Sequence, residues 1–476
     1  MVRQTDLFFA YLRCKFKHIL TLWMSRGTDV AFFEEVEVVK IAIIADDLTG
    51  ANDTGVHLAK RGLAASVLLD YRLPSASKRD VLVLDTDSRS LGRKEAYDRV
   101  KDACERLRLH DRPDALVYKK IDSTFRGNIG AECDAVYDVF APDFIAIAPS
   151  FPKLGRVVRN GSMFVNGVPL HRTDAARDPK NPISDSSLRE LLGGQTDRAV
   201  ATIPTEALNA GTDAIRERLK QLKREGVPYL LFDAETETDL QRVAAAFDGT
   251  PYRVVWAGSA GLANELTLRR FGDGPVIRQA APPMPGPVLI LVGSVSSASR
   301  RQLDALLRRP DVTGIELEAV AALSLDDREQ AIEAVTALAE AAYRMSKDVV
   351  IYSSGSPEDV TKAQDIGRRL GMGDNQVSDM ISGALGETAA RIVRSNRIRN
   401  LVLTGGDTAK QACLRLGAGE IELIDEIEPG VPLGRLFGAD DIYVVTKAGG
   451  FGTDDVLVRA LELFQGGVAE WNPLSG

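Results

Sequence analysis

The chain has 476 residues, 45% hydrophobic and 26% charged, with a formal net charge of −8. That length exceeds what one core supports and predicts two domains, while the balance of apolar and charged residues excludes disordered and fibrous classes. No Lys/Arg run is long enough to build a basic face, which argues against nucleic acid as a partner; local basic clusters still allow a small anionic ligand.

Residues 1–37 read as an extension of unknown role. Phe8 to Met24 is partly apolar, but Arg13, Lys15, Lys17 and His18 interrupt it. It is too broken for a membrane span and lacks the shape of a signal peptide, and Met24 is an alternative start. Cys14, Cys104, Cys133 and Cys413 form no CxxC pair, and the four histidines form no HExxH group. Neither a zinc site nor a disulfide framework is expected, His57 and His171 read as substrate or surface groups, and a reducing cytoplasm is the expected compartment.

From residue 38 onward, short Val/Ile/Leu runs alternate with helix-period segments. Strands are predicted at Val39–Ala45, Ala65–Leu69, Val81–Leu84, Ala115–Lys119, Phe144–Ala148, Ala199–Ile203, Tyr229–Phe232 and Tyr252–Trp256. Helices are predicted between many of them, at Ala51–Arg61, Lys94–Leu107, Ile129–Phe140 and Thr212–Lys223. Apolar runs without alternation belong to strands covered on both faces. The stretch Gly272–Pro287 contains GDGP and APPMPGP, which no helix or central strand tolerates, and reads as a linker. A second series follows, with strands at Val288–Val292, Gly314–Leu317, Val349–Tyr352, Leu401–Leu403 and Ile442–Val445. Its helices are predicted at Ser297–Leu307, Asp327–Arg344, Val377–Ile398 and Thr408–Leu416. The fold class is therefore α/β: two α/β domains, 38–272 and 288–476, joined by a Pro/Gly-rich linker, with an active site in the cleft between them.

Ligands of open α/β sheets sit beyond the carboxyl ends of the strands, and three groups of motifs occupy such positions. The first is Ala45-Asp46-Asp47-Leu48-Thr49-Gly50, with Asp53 close behind. Asp47 or Thr49 could cap the helix that follows, but crowded carboxylates normally require a cation or hydroxyl donors. Gly50 and Gly55 have a phosphate-loop spacing, but Val56-His57 stands where Lys-Ser/Thr is needed, so a Walker-type loop is rejected. The second motif is Lys119-Lys120-Ile121-Asp122-Ser123-Thr124-Phe125-Arg126-Gly127-Asn128, supported by Asp85–Arg89 and by Lys153, Arg156 and Arg159. Arg and Lys suit a carboxylate, and the hydroxyl and amide groups suit sugar hydroxyls. The third group comprises Gly293–Ser297, Thr404–Thr408 and Lys447–Asp455, three glycine-bearing strand ends that suit phosphate. Asp407, Asp454 or Asp455 is a candidate for Mg²⁺, with no metal ligand assigned, and Asp454 or Asp47 for a base.

Taken together, ADDLTGANDTG, KKIDSTFRGN, APSFPKLGR, the Gly293 loop, TGGDT and KAGGFGTDD resemble, in order, the motifs of the four-carbon acid sugar kinase family, from about Val39 to the chain end. The resemblance implies an N-terminal sugar-acid domain and a C-terminal nucleotide domain, with ATP and Mg²⁺, acting on the terminal hydroxyl of threonate, erythronate or 3-oxo-tetronate. It implies substrate binding by Asp47, Arg89, Lys120, Ile121, Asp122 and Ser123, to which Arg126 is added from its place in the motif. ATP binding falls to Ser294, Ser296, Gly405, Gly406, Asp407, Thr408 and Gly449, with Gly450 beside it. Asp47 and Asp454 are the catalytic candidates. Two rivals remain at this stage: a haloacid-dehalogenase-type phosphatase using Asp85-x-Asp87-Ser88, and a non-catalytic sugar-acid sensor. A small sugar acid and ATP are the expected partners, without nucleic acid or membrane, and a homodimer is compatible with the sequence.

Overall fold

The computed structural model describes residues 39–73, 79–107, 115–177, 181–272, 286–438 and 441–466. The N-terminal extension and most of the linker lie outside the described residues.

The N-terminal half contains β1 (Ile41–Ala45), β2 (Ala65–Leu68), β3 (Val81–Asp85), β4 (Leu116–Lys120), β5 (Phe144–Ala148), β6 (Arg156–Arg159), β7 (Ser162–Val165), β8 (Val168–Pro169), β9 (Val200–Ile203), β10 (Tyr229–Phe232) and β11 (Val254–Gly258). Its helices are α1 (Leu48–Ala59), α2 (Arg93–Leu107), α3 (Ile129–Phe140), α4 (Leu188–Gly193), α5 (Thr205–Asn209), α6 (Thr212–Arg224), α7 (Glu237–Ala245) and α8 (Ala260–Phe271). The C-terminal half contains β12 (Val288–Val292), β13 (Val312–Glu316), β14 (Asp348–Tyr352), β15 (Asn400–Thr404), β16 (Glu420–Glu428), β17 (Val431–Phe437) and β18 (Tyr443–Lys447). Its helices are α9 (Ser297–Leu307), α10 (Leu325–Arg344), α11 (Pro357–Arg369), α12 (Asp374–Asn396), α13 (Gly406–Arg415) and α14 (Val456–Phe464).

Every strand run read from the sequence falls on a strand. The central ones, IAIIA in β1, VLILV in β12 and NLVLT in β15, are buried along their whole length, because helices cover both faces. Strands β2-β3-β1-β4-β11-β5-β10-β9 form one parallel block and β13-β14-β12-β15-β18 another. A smaller antiparallel sheet, β6-β7-β8, follows β5.

The two blocks are not separate sheets. The antiparallel hairpin β16–β17 pairs with β18 on one side and with β2 on the other, giving one sheet of 15 strands. Across it the blocks run in opposite directions, yet their carboxyl ends meet: Lys410 of α13 reaches Asp85 at the end of β3. Two register breaks in the β16–β17 ladder, at Leu423/Asp425 and Glu426/Glu428, supply the kind of bend and twist such a meeting requires. Helix α1 packs on β16 so closely that a Cβ at Gly55 would lie 2.4 Å from Leu423 Cδ1. That contact is the demand placed on Gly55.

Candidate active site

On the N-terminal side, the loops after the adjacent strands β3, β1 and β4 converge. Asp47 caps α1 by accepting the Gly50 N–H at 2.9 Å, so the simple capping role is real. Its carboxylate also accepts from Arg89, through Nη1 at 2.8 Å and Nη2 at 2.6 Å. The same guanidinium grips buried Asp46, through Nε at 2.6 Å and Nη2 at 2.9 Å. One cation thus spans both acids, which answers the repulsion between adjacent carboxylates. Burial works to raise both carboxyls. Arg89 and Lys119 outweigh it at Asp46 and hold that group low, whereas burial and the neighbouring Asp46 leave Asp47 raised.

Beneath this cluster Lys119, wholly buried, pairs with Glu132 of α3 at 2.8 Å, and Glu132 accepts from Ser88 at 2.6 Å. Asn128 donates to the Leu91 and Ser88 carbonyls, tying the β4–α3 loop to the loop that carries Arg89. Lys120 is buried and donates to the Ile121 carbonyl at 2.9 Å. Asp122 is engaged by Arg126 at 2.9 and 3.1 Å; burial alone would raise its carboxyl, but Arg126 and Arg89 hold it well below the usual range. Asp53, one turn further along α1, is buried with His57 at 3.9 Å as its ion-pair neighbour, and burial raises its carboxyl.

On the C-terminal side, the loops after β12, β15 and β18 converge, as does the loop after β14, which sequence reading passed over. Arg300 ties two of them together, donating to the Ser353 carbonyl at 2.8 Å and to the Ser294 carbonyl. The signal for that loop is Ser353-Ser354-Gly355-Ser356-Pro357 directly after an apolar run. Ser296 caps α9 and donates to the Gly449 carbonyl at 2.7 Å, with Ser299 donating to the same oxygen at 3.0 Å. A Cβ at Gly449 would lie 2.1 Å from Ser294 Oγ, so the two loops touch backbone to side chain. Gly405, at φ +98°, caps α13 without any side-chain acceptor, and the first-turn amides of such a helix suit an anion. Lys447 is buried among the Ala448 and Gly449 carbonyls, at 2.8 and 3.3 Å, and burial lowers it to about 8. A cation held by carbonyls rather than carboxylates fits a phosphate.

The two sides meet at α1, where Asn52 donates to Thr446 at 2.9 Å, and just past its end, where Lys60 pairs with Glu426 at 2.6 Å. They meet again at the end of β3, where Lys410 of α13 pairs with Asp85 and Asp87 at 2.9 and 3.2 Å. Between α1 and the loops after β15 and β18 remains a cavity of about 10 Å³, lined in part by Thr49, Asn52, Gly406 and Lys447.

The structure thus gathers Asp47, Arg89, Lys120, Ile121, Asp122, Ser123 and Arg126 into one cluster. It sets Ser294, Ser296, Gly405, Gly449 and Gly450 on converging loops, with Gly406, Asp407 and Thr408 in the first turn of α13. Asp454 stands apart: its side chain is 61% exposed and pairs with Arg301 at 2.9 Å. Asp85, the nucleophile of the phosphatase alternative, is wholly buried against Lys410. Among the described residues no three or more His, Cys, Asp or Glu side chains gather as a metal site. No helix among the described residues is long and apolar enough to cross a membrane.

Two facing sets of strand-end loops, one rich in carboxylate, guanidinium and hydroxyl groups and one rich in glycine, form the candidate site of an α/β protein. Residues 41–266 match the family model described as a sugar-binding N-terminal domain, and residues 289–457 match the nucleotide-binding C-terminal domain. The chain is 36% identical over 429 residues to D-threonate kinase of Salmonella typhimurium, covering 89% of this chain and 98% of that one. It is 30% identical over 442 residues to D-erythronate kinase of Heliobacterium modesticaldum, covering 89% and 96%. To 3-oxo-tetronate kinase of Pseudomonas fluorescens it is 30% identical over 443 residues, covering 90% and 98%. A solved chain from Salmonella typhimurium LT2 superposes with a TM-score of 0.73 at 27% identity, over 89% of this chain and 99% of that one. The protein belongs to the four-carbon acid sugar kinase family and is an enzyme of that kind.

Proposed function

We propose that the protein transfers the γ-phosphoryl group of ATP to the terminal, C4 hydroxyl of a four-carbon acid sugar of the threonate, erythronate or 3-oxo-tetronate type. The observation that carries this reading is the apposition of the Asp46–Asp47–Arg89 cluster and the uncapped α13 loop across the Lys410–Asp85 contact. Lys120 meets the substrate carboxylate. Asp47, fixed by Arg89 and the Gly50 N–H, accepts from substrate hydroxyls. Lys447 and the first-turn amides of α13 hold the nucleotide phosphates. Asp407 is the carboxylate that would hold Mg²⁺, which supplies charge neutralisation when bound.

Asp53 is a better base than Asp47, which is already spent on Arg89, or Asp454, which is exposed against Arg301. It is buried, close enough to Lys120 to feel its charge, and raised toward working pH, as a proton acceptor should be.

Incubating the protein with ATP and each stereoisomer of the three acids, with ADP release as readout and NMR of the product, tests the reading. Phosphorylation at C4 of one or more acids supports it. Absence of ADP release with all of them, or phosphate release from phosphosugars without ATP, overturns it.

A further inference from the structure

Arg156 is the residue whose surroundings the reading above leaves unexplained. It opens β6, on the small antiparallel sheet that β5 leads into, and its backbone is fixed to Phe151 by hydrogen bonds at 3.1 and 2.7 Å. The sheet is anchored in turn where Val158 exchanges backbone hydrogen bonds with Ala234. The side chain is therefore carried on a rigid element and is not part of a solvated loop.

Its guanidinium donates through Nη1 to Ser123 Oγ at 2.8 Å, inside the substrate cluster. Its Cζ lies 5.9 Å from the ring centroid of Phe451, on the loop that follows β18 in the nucleotide domain. That loop is held by Gln302, which donates to the Phe451, Gly452 and Thr453 carbonyls. Arg156 thus touches both substrate sides at once. Its Nε is buried and has no hydrogen-bond partner. Arg89, by contrast, spends its fork on Asp46 and Asp47, and Arg126 is engaged by Asp122. A partly buried guanidinium whose Nε is buried, set against a hydroxyl and an aromatic face with no carboxylate within ion-pairing distance among the described residues, is costly until an anion arrives.

We propose that Arg156 binds the phosphoryl group in transit, as an arginine contributed by the sugar-binding domain to the nucleotide side of the cleft. The inference rests on the kinase reading above. In the transfer, the acceptor oxygen bonds to the γ-phosphorus as the bond from that phosphorus to the β,γ-bridging oxygen breaks. The electron pair of that bond leaves with ADP, and the hydroxyl proton passes to Asp53. Charge spread over the transferring group is what the Arg156 fork neutralises.

The test compares the wild type with Arg156→Lys and Arg156→Ala. Thermal unfolding establishes that both variants fold. Kinetics should show kcat reduced on the order of 10³-fold in Arg156→Ala with both KM values near wild type, and partial recovery when guanidinium ion is added. Calorimetry of ADP, aluminium fluoride and the sugar acid gives a readout independent of turnover. The wild type should bind the combination more tightly than ADP alone, and both variants should lose that gain while keeping affinity for ADP. A rise in sugar-acid KM with kcat preserved would make Arg156 a carboxylate ligand and overturn the proposal. So would loss of stability without a kinetic change, or fluoride-dependent binding that survives both substitutions. A wild type that releases no ADP with any acid fails the kinase reading itself, and the inference with it.

Discussion

At the scale of single residues, chemistry is assigned by which charged groups are already spent. Asp53→Asn should lower kcat roughly 10²- to 10⁴-fold, the range for loss of a general base, with nucleotide and sugar-acid affinity retained in binding assays. Because burial raises Asp53, its basic form is lost as pH falls through a value above the ordinary carboxylate one of 3.8. The acidic limb of the kcat/KM profile should report this, and the limb should vanish in the variant. Lys447 carries the opposite sign. Burial lowers it to about 8, so its charge fades as pH rises past that value. Nucleotide Kd measured by calorimetry should weaken above about pH 8 in wild type, and Lys447→Met should be weak at all pH with little further change. The sequence made the types of these residues plain but not their state. Asp46, Asp47 and Asp53 look equivalent on the page of letters, and only the direction in which Arg89 points separates a capped, paired acid from an available one. Arg156 was likewise visible as positive charge, with nothing to distinguish it from Arg159, which pairs with Glu235 near the surface.

At the scale of elements, α13 links the two substrates. Its first turn belongs to the nucleotide loops, while Lys410 one turn later holds the loop that carries Arg89. Lys410→Met leaves Asp85 buried without its counter-ion, a loss of about 3 kcal/mol by analogy with broken buried pairs, measurable by chemical denaturation. In the wild type burial raises Asp85 to about 6, Lys410 opposing the rise. The raised proton affinity makes this contribution to stability greatest at low pH and diminishing as Asp85 ionises. Removing Lys410 raises the carboxyl further, so the deficit should be smallest near pH 3.8 and grow as pH passes about 6. The core parallel strands were legible because covered strands are uniformly apolar. The hairpin β16–β17 was not among the predicted strands, since EIELIDEIE carries five acids and its apolar alternation breaks at Leu423-Ile424. Its Glu420, Glu426 and Glu428 are buried, and their partners, Arg79 at 3.5 Å, Lys60 at 2.6 Å and Arg459 at 2.8 Å, come from distant segments. The short Glu420–Leu423 alternation hints at a strand, but nothing local shows that its acids are neutralised from elsewhere.

At the scale of the whole molecule, two domains defined by sequence are one hydrogen-bonded sheet. Calorimetric unfolding should therefore show a single transition, with matching transitions by a probe at Trp256 in the N-terminal half and one at Tyr443 in the C-terminal half. Two resolved transitions would mean that the seam adds no cooperativity. A saturating nucleotide should raise the melting temperature reported by both probes together, since its binding stabilises a unit and not half of one.

The pairing of Ala65–Leu68 with Glu420–Leu423 bears on how family members can be recombined. Joining the first half of one kinase to the second half of another at the proline-rich stretch near residue 280 looks like a clean exchange of acceptor preference. It is not one, because the incoming half must find a foreign strand at its edge, and α1 must seat its Gly55 on a foreign Leu423. A chimera that also carries the matching Glu420–Phe437 hairpin from the donor of the first half keeps that edge native, although it moves the foreign junctions into β18. Graft libraries should therefore be divided by fold contact, with this hairpin counted as shared property of both halves.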